Sequence, residues 1–286
     1  MILLDQFAKE KIYSLAALSR AFEEEVFNQV KIGNIKIPVY LSAGQEYIAA
    51  TLSVILEQMD VIKPQVFIQH RGHSTYLSFG GDMYQLILEL LGDPAGCSNG
   101  MGGSASIQSK EANIYGHDGL MGTQGPIATG MCFANQRPTI CFAGDAAAEE
   151  DYFLTSMGWA ATKKLPIWFV IEDNNLSILT EKKVRRSWEI NKVAEGMGLS
   201  AHSISDDPSE IYSIVPEKFE CVPHVLNIHT NRLFWHAGAG IDTSEIFDRH
   251  LEFGKTLNAD FVEKSNSAAR ERVKLCWDQA LKSCEK

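Results

Sequence analysis

The sequence lacks the features of a membrane-spanning protein and of a secreted, disulfide-rich protein. No apolar run in its 286 residues approaches the length of a membrane span, and the apolar start at Met1 to Leu4 is broken at once by Asp5. The six cysteines include no closely spaced pair such as C-x-x-C, so reduced thiols are the simplest account. We therefore expect a soluble protein of the cytoplasm, with no part in a membrane.

An excess of positive charge is also missing. The chain has 26 lysines and arginines against 36 aspartates and glutamates, a net charge of −10, which argues against nucleic acid as a partner. It contains no internal repeat and no low-complexity tract. Small molecules or other proteins are the expected partners. Length alone allows one large α/β domain with appendages or two small domains.

The stretch 144–176 predicts one βαβ unit. The run PTICFAG predicts a buried strand that ends before Asp145, and LPIWFVI predicts a second one. Between them, Phe153 and Met157 recur at helical spacing. In a right-handed parallel crossover both strands lie close in one sheet, so Asp145 and Asn174 should emerge at the same carboxyl edge. That edge is where open α/β sheets bind ligands.

This edge would carry three oxygen ligands for a small divalent cation. The Asp145 carboxylate, the Asn174 side-chain carbonyl and the Leu176 main-chain carbonyl suit Mg²⁺, with diphosphate oxygens and water at the remaining octahedral positions. The alternative interpretation is that Asp145 caps the crossover helix and that Asn174 and Asn175 form a turn. The unit alone leaves both interpretations open.

The remaining stretches are interpreted from their patterns. Residues 5–30 predict a helix with a solvated face at Glu23 to Glu25, and a second helix starts near Ser42 or Gly44 and runs through Leu56. The stretch 92–108, rich in Gly and Ser, predicts either a flexible surface loop or a loop whose backbone passes close to another group. Residues 222–229 predict a strand.

Polar side chains follow two of the predicted strands. His70 and Arg71 end the strand that begins near Gln65, and this combination indicates anion binding. His236 follows the strand at 222–229, although a lone histidine there can simply bond a backbone carbonyl. Residues 179–187 predict an exposed loop in which the arginines at 185 and 186 are solvated or face an anion, and solvation is favoured.

Six segments occur in one order along the chain: R-A-F-E-E-E at 20–25, L-S-A-G-Q-E at 41–46, H-R-G-H-S at 70–74, G-C-S-N-G-M-G-G-S at 96–104, G-L-M-G-T-Q at 119–124 and the 144–176 unit. Together they resemble the α subunit of the thiamine diphosphate-dependent decarboxylating component of 2-oxo acid (pyruvate or branched-chain) and acetoin dehydrogenase complexes. The resemblance implies an α/β thiamine diphosphate-binding fold, with a mostly parallel central sheet and helices on both faces. We expect a single domain over 1–286, with an N-terminal helical arm (about 1–40) and a C-terminal helical tail (about 245–286).

The resemblance also assigns roles by position. Asp145, Asn174 and the Leu176 carbonyl match the ligands of Mg²⁺, and His73 and His236 match catalytic histidines. The remaining residues match contacts to thiamine diphosphate: His70, Arg71, Gly119, Met121, Gly144, Ala146 and Ala147, together with His236 and the cation ligands.

In the resembled family the glutamate that activates the cofactor comes from a separate β chain, and this sequence has no motif for it. An α₂β₂ assembly is therefore implied, with a lipoyl-bearing acyltransferase as the further partner if the enzyme is a dehydrogenase. The expected activity is decarboxylation or cleavage of a 2-oxo acid or ketone, followed by transfer of the acyl or aldehyde unit to an acceptor.

Departures from the family pattern leave alternatives open. Ala146 replaces a glycine, Ser106 replaces a histidine, and Asn99 and Met101 replace lysines. A two-chain carboligase or transketolase-like transferase acting on an aldehyde or sugar is one alternative. A cofactor-binding or regulatory subunit without turnover is another, because an alanine methyl at position 146 narrows the approach to the phosphate unless φ stays negative.

Overall fold

The computed structural model describes residues 2–61, 63–215, 219, 222–238 and 247–284. Its strands are β1 (Gln65–Phe67), β2 (Ile114–Tyr115), β3 (Thr139–Gly144), β4 (Ile167–Asp173), β5 (Leu176–Ser177), β6 (Thr180–Glu181), β7 (Ser200–Ser205) and β8 (His224–His229). Its helices are α1 (Gln6–Lys31), α2 (Glu46–Gln58), α3 (His73–Ser78), α4 (Met83–Leu90), α5 (Gln124–Asn135), α6 (Asp151–Lys163), α7 (Lys182–Arg185), α8 (Ile190–Gly196), α9 (Pro208–Ile214), α10 (Arg249–Gly254) and α11 (Ala259–Cys284).

The main sheet has the strand order β2-β1-β3-β4-β8-β7, and every neighbouring pair is parallel. The predicted crossover is confirmed, because β3 and β4 pair in register and α6 joins them. The predicted α/β class with a parallel sheet is therefore confirmed. A separate two-stranded ribbon, β5 and β6, follows β4.

Side chains point alternately to the two faces of the main sheet, which explains why helices cover both of its faces. Ile140 and Phe142 of β3 pack into a core with α1, α2, α4 and α11. Cys141 and Ala143, which point the other way because strand side chains alternate, pack against α5, α6 and α8. Both faces are apolar, as expected for a parallel sheet buried on two sides.

Local signals fix several helix ends. Asp5 caps α1, since its side chain accepts a hydrogen bond from the Ala8 amide at 2.8 Å. Asp207 caps α9, and Pro208 fills its first position. The predicted helix at 5–30 is confirmed by α1, which packs against α2, α3 and α11. The division of the chain into one domain with two helical appendages stays a prediction.

Two further findings concern membrane-spanning helices and cysteine pairing. No helix in the described ranges is long and apolar enough to cross a membrane. Cys97, Cys132, Cys141, Cys276 and Cys284 form no disulfide bond with one another, and Cys221 lies outside the described residues.

Replacing Trp277 by alanine tests the packing of the C-terminal helix. Trp277 is 1% exposed and lies on the face of α11 that enters the core. We expect Trp277→Ala to lower the free energy of unfolding by about 3–5 kcal/mol, as for other large buried aromatic residues. Leu275→Ala is the control, because Leu275 is 62% exposed on the same helix. Equal effects of both changes in denaturant titrations would contradict this packing.

Candidate functional site

A cleft of about 240 Å³ lies at the carboxyl ends of β1, β3 and β4. The strand order reverses here, because β2 and β3 lie on opposite sides of β1, and open α/β sheets bind ligands at such points. Most of the predicted site residues line it: His70, Arg71, Met121, Gly144, Asp145, Ala146, Ala147, Asn174, Leu176 and His236. His73 and Gly119 are the predicted residues that do not line it.

Asp145 follows β3 and is 1% exposed. Burial, together with the nearby Asp173 carboxylate, raises the pKa of Asp145 to about 6, and the guanidinium of Arg185 opposes this shift. Arg185 forms an ion pair with Asp145 and a second one with Glu149. The expectation that Arg185 and Arg186 are solvated is therefore wrong, since their side chains are only 13% and 1% exposed.

Asn174 follows β4, and its amide is held at both ends. Its Nδ2 donates to the side-chain oxygen of Gln45 at 2.9 Å, and its Oδ1 accepts from the Leu176 amide at 3.0 Å. Asn175 takes the left-handed conformation, with φ of 65°. The turn that the alternative interpretation predicted is thus present, and it directs the Asn174 and Leu176 backbone around the cleft. The other half of that interpretation is wrong: Asp145 does not cap the crossover helix, because α6 starts at Asp151 and its N-cap is Glu150.

Ala146 has φ of −74° and ψ of −37°, an ordinary right-handed conformation. An alanine adopts these angles without strain, so the glycine expected at this position is not required for the backbone. Ala146 and Ala147 both line the cleft. The substitution therefore adds a methyl group but does not change the path of the chain.

Arg71 and two histidines line the cleft at the end of β1. Arg71 is 2% exposed and donates to the Leu41 carbonyl at 2.6 Å, and its Nη2 lies 3.0 Å from Nδ1 of His236. The rings of His70 and His236 are 5.8 Å apart, and Tyr40 contacts both edge to face. Burial, and then the positive charge of Arg71, lower the pKa of His70 well below its usual value. His70 is therefore neutral at pH 7 and can donate a hydrogen bond without adding charge.

His73 lies behind the cleft and is fully buried. Its Nδ1 is 3.1 Å from the Glu23 carboxylate, and its Nε2 is 2.9 Å from Ser104 Oγ, which accepts from the Tyr40 amide at 2.9 Å. Glu23 also accepts from the backbone amide of Ser42 at 2.9 Å. The expectation that Glu23 is solvated is wrong, because it is 0% exposed. Hydrogen bonds among the described residues link His73 to the cleft through Ser104 and Tyr40, and direct contact of His73 with a reacting group stays a prediction.

The loop rich in glycine wraps around one carboxylate. Glu89 is 0% exposed and accepts four backbone hydrogen bonds of 2.7–3.0 Å. The donors are the amides of Ser98, Gly100, Gly102 and Gly103. Of the two interpretations of this stretch, the loop that passes close to another group is confirmed. The sequence does contain a signal for this contact, because Glu89 is the one charged residue in the apolar run LILELL. The sequence analysis did not use that signal.

The 117–123 loop borders the cleft through Met121. Gly119 takes φ of 102°, a conformation that favours glycine, and its amide donates to His117 Nδ1 at 3.0 Å. The hydroxyl of Tyr152 donates to the Met121 carbonyl. Met121 lines the cleft and is 39% exposed, so it lies at the mouth.

Four cleft residues were not predicted: Tyr40, Gln69, Ser177 and Ile178. Gln69 immediately precedes His70, and its amide donates to the Glu172 carboxylate beneath the cleft. Burial raises the pKa of Glu172 to about 7. Adjacency to the polar strand end was the only sequence signal for Gln69.

The donor set determines what the cleft can hold. In the described part of the chain no three His, Cys, Asp or Glu side chains lie close enough to hold a metal ion. Asp145 is the only carboxylate among the described residues that line the cleft. A cation there would need the amide oxygen of Asn174, the carbonyl of Leu176 and oxygens from a bound ligand, which fits a diphosphate with Mg²⁺. Three larger depressions, of about 670, 480 and 510 Å³, share no lining residue with this cleft.

The cleft at a strand-order reversal defines a parallel α/β protein with a ligand site at the carboxyl edge of its sheet. The sequence matches the family described as "Dehydrogenase E1 component" over residues 14–220, well over half of its length. The chain belongs to this family.

Similar proteins carry consistent names. The chain is 30% identical over 234 residues to the pyruvate dehydrogenase E1 component subunit alpha of Rickettsia bellii (strain RML369-C), which covers 77% of this chain and 70% of the relative. It is 28% identical over 228 residues to the protein of the same name from Rhizobium meliloti (strain 1021), covering 77% and 64%. For subunit alpha-1, mitochondrial, of the same component from Oryza sativa subsp. japonica, the identity is 34% over 146 residues, covering 49% and 36%. The chain thus spans only about a third of the length of the Oryza sativa protein and just under two thirds of the length of the Rhizobium meliloti protein.

Glu89→Gln tests whether the carboxylate orders the loop. The amide keeps one acceptor but turns an NH₂ group toward backbone donors, so we expect a loss of about 1.5–3 kcal/mol in unfolding free energy, typical of hydrogen bonds to a charged group. Amides 98–103 should also exchange hydrogen faster. Glu57→Gln is the control, because Glu57 is 64% exposed on its side chain. Unchanged exchange at 98–103 would contradict this role.

Proposed function

We propose that this chain is the cofactor-holding α-type subunit of a two-chain, thiamine diphosphate-dependent enzyme of the 2-oxo acid dehydrogenase type. The observation that carries the proposal is the composition of the cleft. Asp145 follows β3, Asn174 follows β4 and Leu176 starts β5, and all three can offer oxygen atoms to the cleft. Arg71 and His70 come from the segment after β1. A cation held by the first group and a guanidinium from the second would bind a diphosphate between them.

Each group has a defined task in this proposal. Asp145, Asn174 and Leu176 would hold Mg²⁺, and Arg71 would bind phosphate oxygens while its contact with the Leu41 carbonyl fixes its position. The neutral ring of His70 would donate one further hydrogen bond. Bound thiamine diphosphate would supply a nucleophilic carbon and an electron sink for decarboxylation of a 2-oxo acid. His236 would stabilise negative charge that develops at the reacting carbonyl oxygen.

A partner chain is expected to complete the site. No glutamate lines the cleft among the described residues, so the carboxylate that activates the cofactor would come from a β-type subunit. Leu120 and Ile178, near the cleft mouth, are 65% and 53% exposed, which supports cover by another protein. We propose an α₂β₂ heterotetramer of the cytoplasm, with a lipoyl-bearing acyltransferase as acceptor.

A carboligase or transketolase-like transferase is the second candidate. One observation favours it: Met101 is 85% exposed and Asn99 is exposed at the tip of the glycine loop, where the family pattern has lysines. An uncharged tip offers no cationic contact to an acidic acceptor domain. The third candidate, a subunit without turnover, draws no support from Ala146, because its negative φ leaves the backbone unstrained.

The assay that separates these candidates uses the chain assembled with its β-type partner. We expect decarboxylation of a 2-oxo acid with reduction of lipoamide. Transfer to an aldehyde or sugar without lipoamide reduction would favour the second candidate. Cofactor binding without turnover on any 2-oxo acid would favour the third.

Asp145→Ala removes the only carboxylate of the proposed cation site. Two neutral oxygens hold Mg²⁺ poorly, so Mg²⁺-dependent binding of thiamine diphosphate should fall below detection in calorimetry. Asp151→Ala, which changes an exposed carboxylate of the same βαβ unit, should bind normally. Unchanged affinity in Asp145→Ala would show that the cation is held elsewhere.

His236→Ala tests the proposed role of the histidine in turnover. Loss of one donor to a developing oxyanion costs about a hundredfold or more, so turnover should fall by that factor while the fold and assembly with the partner stay intact. His202→Ala on the edge strand β7 is the control. If His236→Ala instead melts early and retains normal specific activity in its folded fraction, His236 has a structural role.

A further inference from the structure

The short helix α7 neutralises the acidic edge of the sheet. Lys182 forms an ion pair with Asp173 at 2.7 Å, and Arg185 bridges Asp145 and Glu149. Asp145 follows β3, and Asp173 ends the neighbouring strand β4. Because both carboxylates are buried, the negative charge of each raises the electrostatic free energy of the other. Each carboxylate therefore has its own cation from one helix.

Arg185 bonds Asp145 but is not a lining residue of the cleft. Asp145 lines the cleft, and the bond goes to Oδ2 of the carboxylate. The second guanidinium nitrogen bonds Glu149, which ends the turn that begins with Ala147. The planar fork of Arg185 thus joins the Asp145 side chain to the turn whose backbone faces the cleft.

Arg186 fixes the backbone of the same residue. Its Nη1 donates to the Asp145 carbonyl at 3.3 Å and lies 3.4 Å from Glu149, and its guanidinium stacks on Trp188 at 4.6 Å. Side chain and main chain of Asp145 are therefore held by two consecutive arginines.

This arrangement contributes little to folding stability. For a buried ion pair, the free energy lost in desolvation is about as large as the free energy gained from charge attraction. Three guanidinium nitrogens are also buried with no hydrogen-bond partner among the described residues: Nε of Arg185, and Nε and Nη2 of Arg186. Such arrangements are concentrated at functional sites, where geometry matters more than stability.

We propose that Arg185 is a positioning residue for the cation site, holding Oδ2 of Asp145 so that Oδ1 faces the cleft. The inference rests on the proposed function, because it requires Asp145 to bind the cation. Partners that orient a metal ligand typically change metal affinity by about ten- to a hundredfold when removed.

The test is calorimetric titration of Mg²⁺ into the full chain assembled with its β-type partner, at saturating thiamine diphosphate. Arg185→Ala should raise the Kd for Mg²⁺ by about ten- to a hundredfold. It should also lower Tm, because the buried Asp145 carboxylate is left without its cation. Arg185→Lys should recover part of the affinity, because it restores the charge but not the fork. Lys183→Ala removes an equal charge from the same helix at a side chain 75% exposed, and should change nothing.

The outcomes separate this inference from the proposed function. An unchanged Kd in both Arg185 variants overturns the positioning role, and a lower Kd overturns it too, because Arg185 would then compete with the cation. Arg185→Lys serves as the test if Arg185→Ala does not fold. If Asp145→Ala abolishes Mg²⁺ binding while the Arg185 variants bind normally, only this inference fails. If Asp145→Ala also binds normally, the cation site itself fails.

Discussion

The parallel register of β1, β3 and β4 is the constraint on which the cleft depends. Phe67 lies opposite Cys141, and Cys141 lies opposite Phe169, so the segments that follow the three strands emerge at one edge of the sheet. Gln69 and Glu172 are 103 residues apart in sequence and yet share a hydrogen bond beneath the cleft. Any slip of one strand would turn its buried side chains to the wrong face, and the two apolar cores on either side of the sheet prevent this.

Charge pairing then fixes polar groups at that edge. The chain is acidic overall, but several of its buried carboxylates have dedicated cations: Asp173 with Lys182 at 2.7 Å, and Asp206 with Arg249 at 2.8 Å. Arg20 bonds Glu46 at 2.5 Å and Asp248 at 2.8 Å, which ties α1 and α2 to the start of α10. Because such pairs contribute little net stability, their main effect is to fix position. They also explain why the motifs at 20–25 and 41–46 contain charged residues.

The sequence was most informative where local pattern and topology act together. Continuous apolar runs predicted β3 and β4, and the rule that parallel crossovers are right-handed brought Asp145 and Asn174 to one edge. Strand β7 was missed, because SAHSIS is a polar segment at the sheet edge with no apolar run. Its identity as a strand depends on pairing with β8, which is a tertiary effect.

Buried charge was the other point at which prediction from sequence failed. Glu23, Glu89 and Arg186 are charged side chains of a kind that is usually solvated. In this structure each one is buried and bonds to groups elsewhere in the chain. Glu23 bonds groups that follow α1, and Glu89 bonds a loop. Periodicity cannot identify these partners, because it describes one element at a time. For the same reason it did not show that His73 lies behind the cleft, although its motif was recognised.

We propose above all that Asp145, Asn174 and Leu176 hold a divalent cation that binds a diphosphate in this cleft. The most direct measurement is a crystal structure of the chain with its partner, thiamine diphosphate and Mn²⁺, with the ion located from its anomalous signal. The account predicts one ion bonded to the Asp145 carboxylate, the Asn174 amide oxygen and the Leu176 carbonyl, with phosphate oxygens completing its coordination. An anomalous peak elsewhere, or a diphosphate bound with no ion at Asp145, would contradict it.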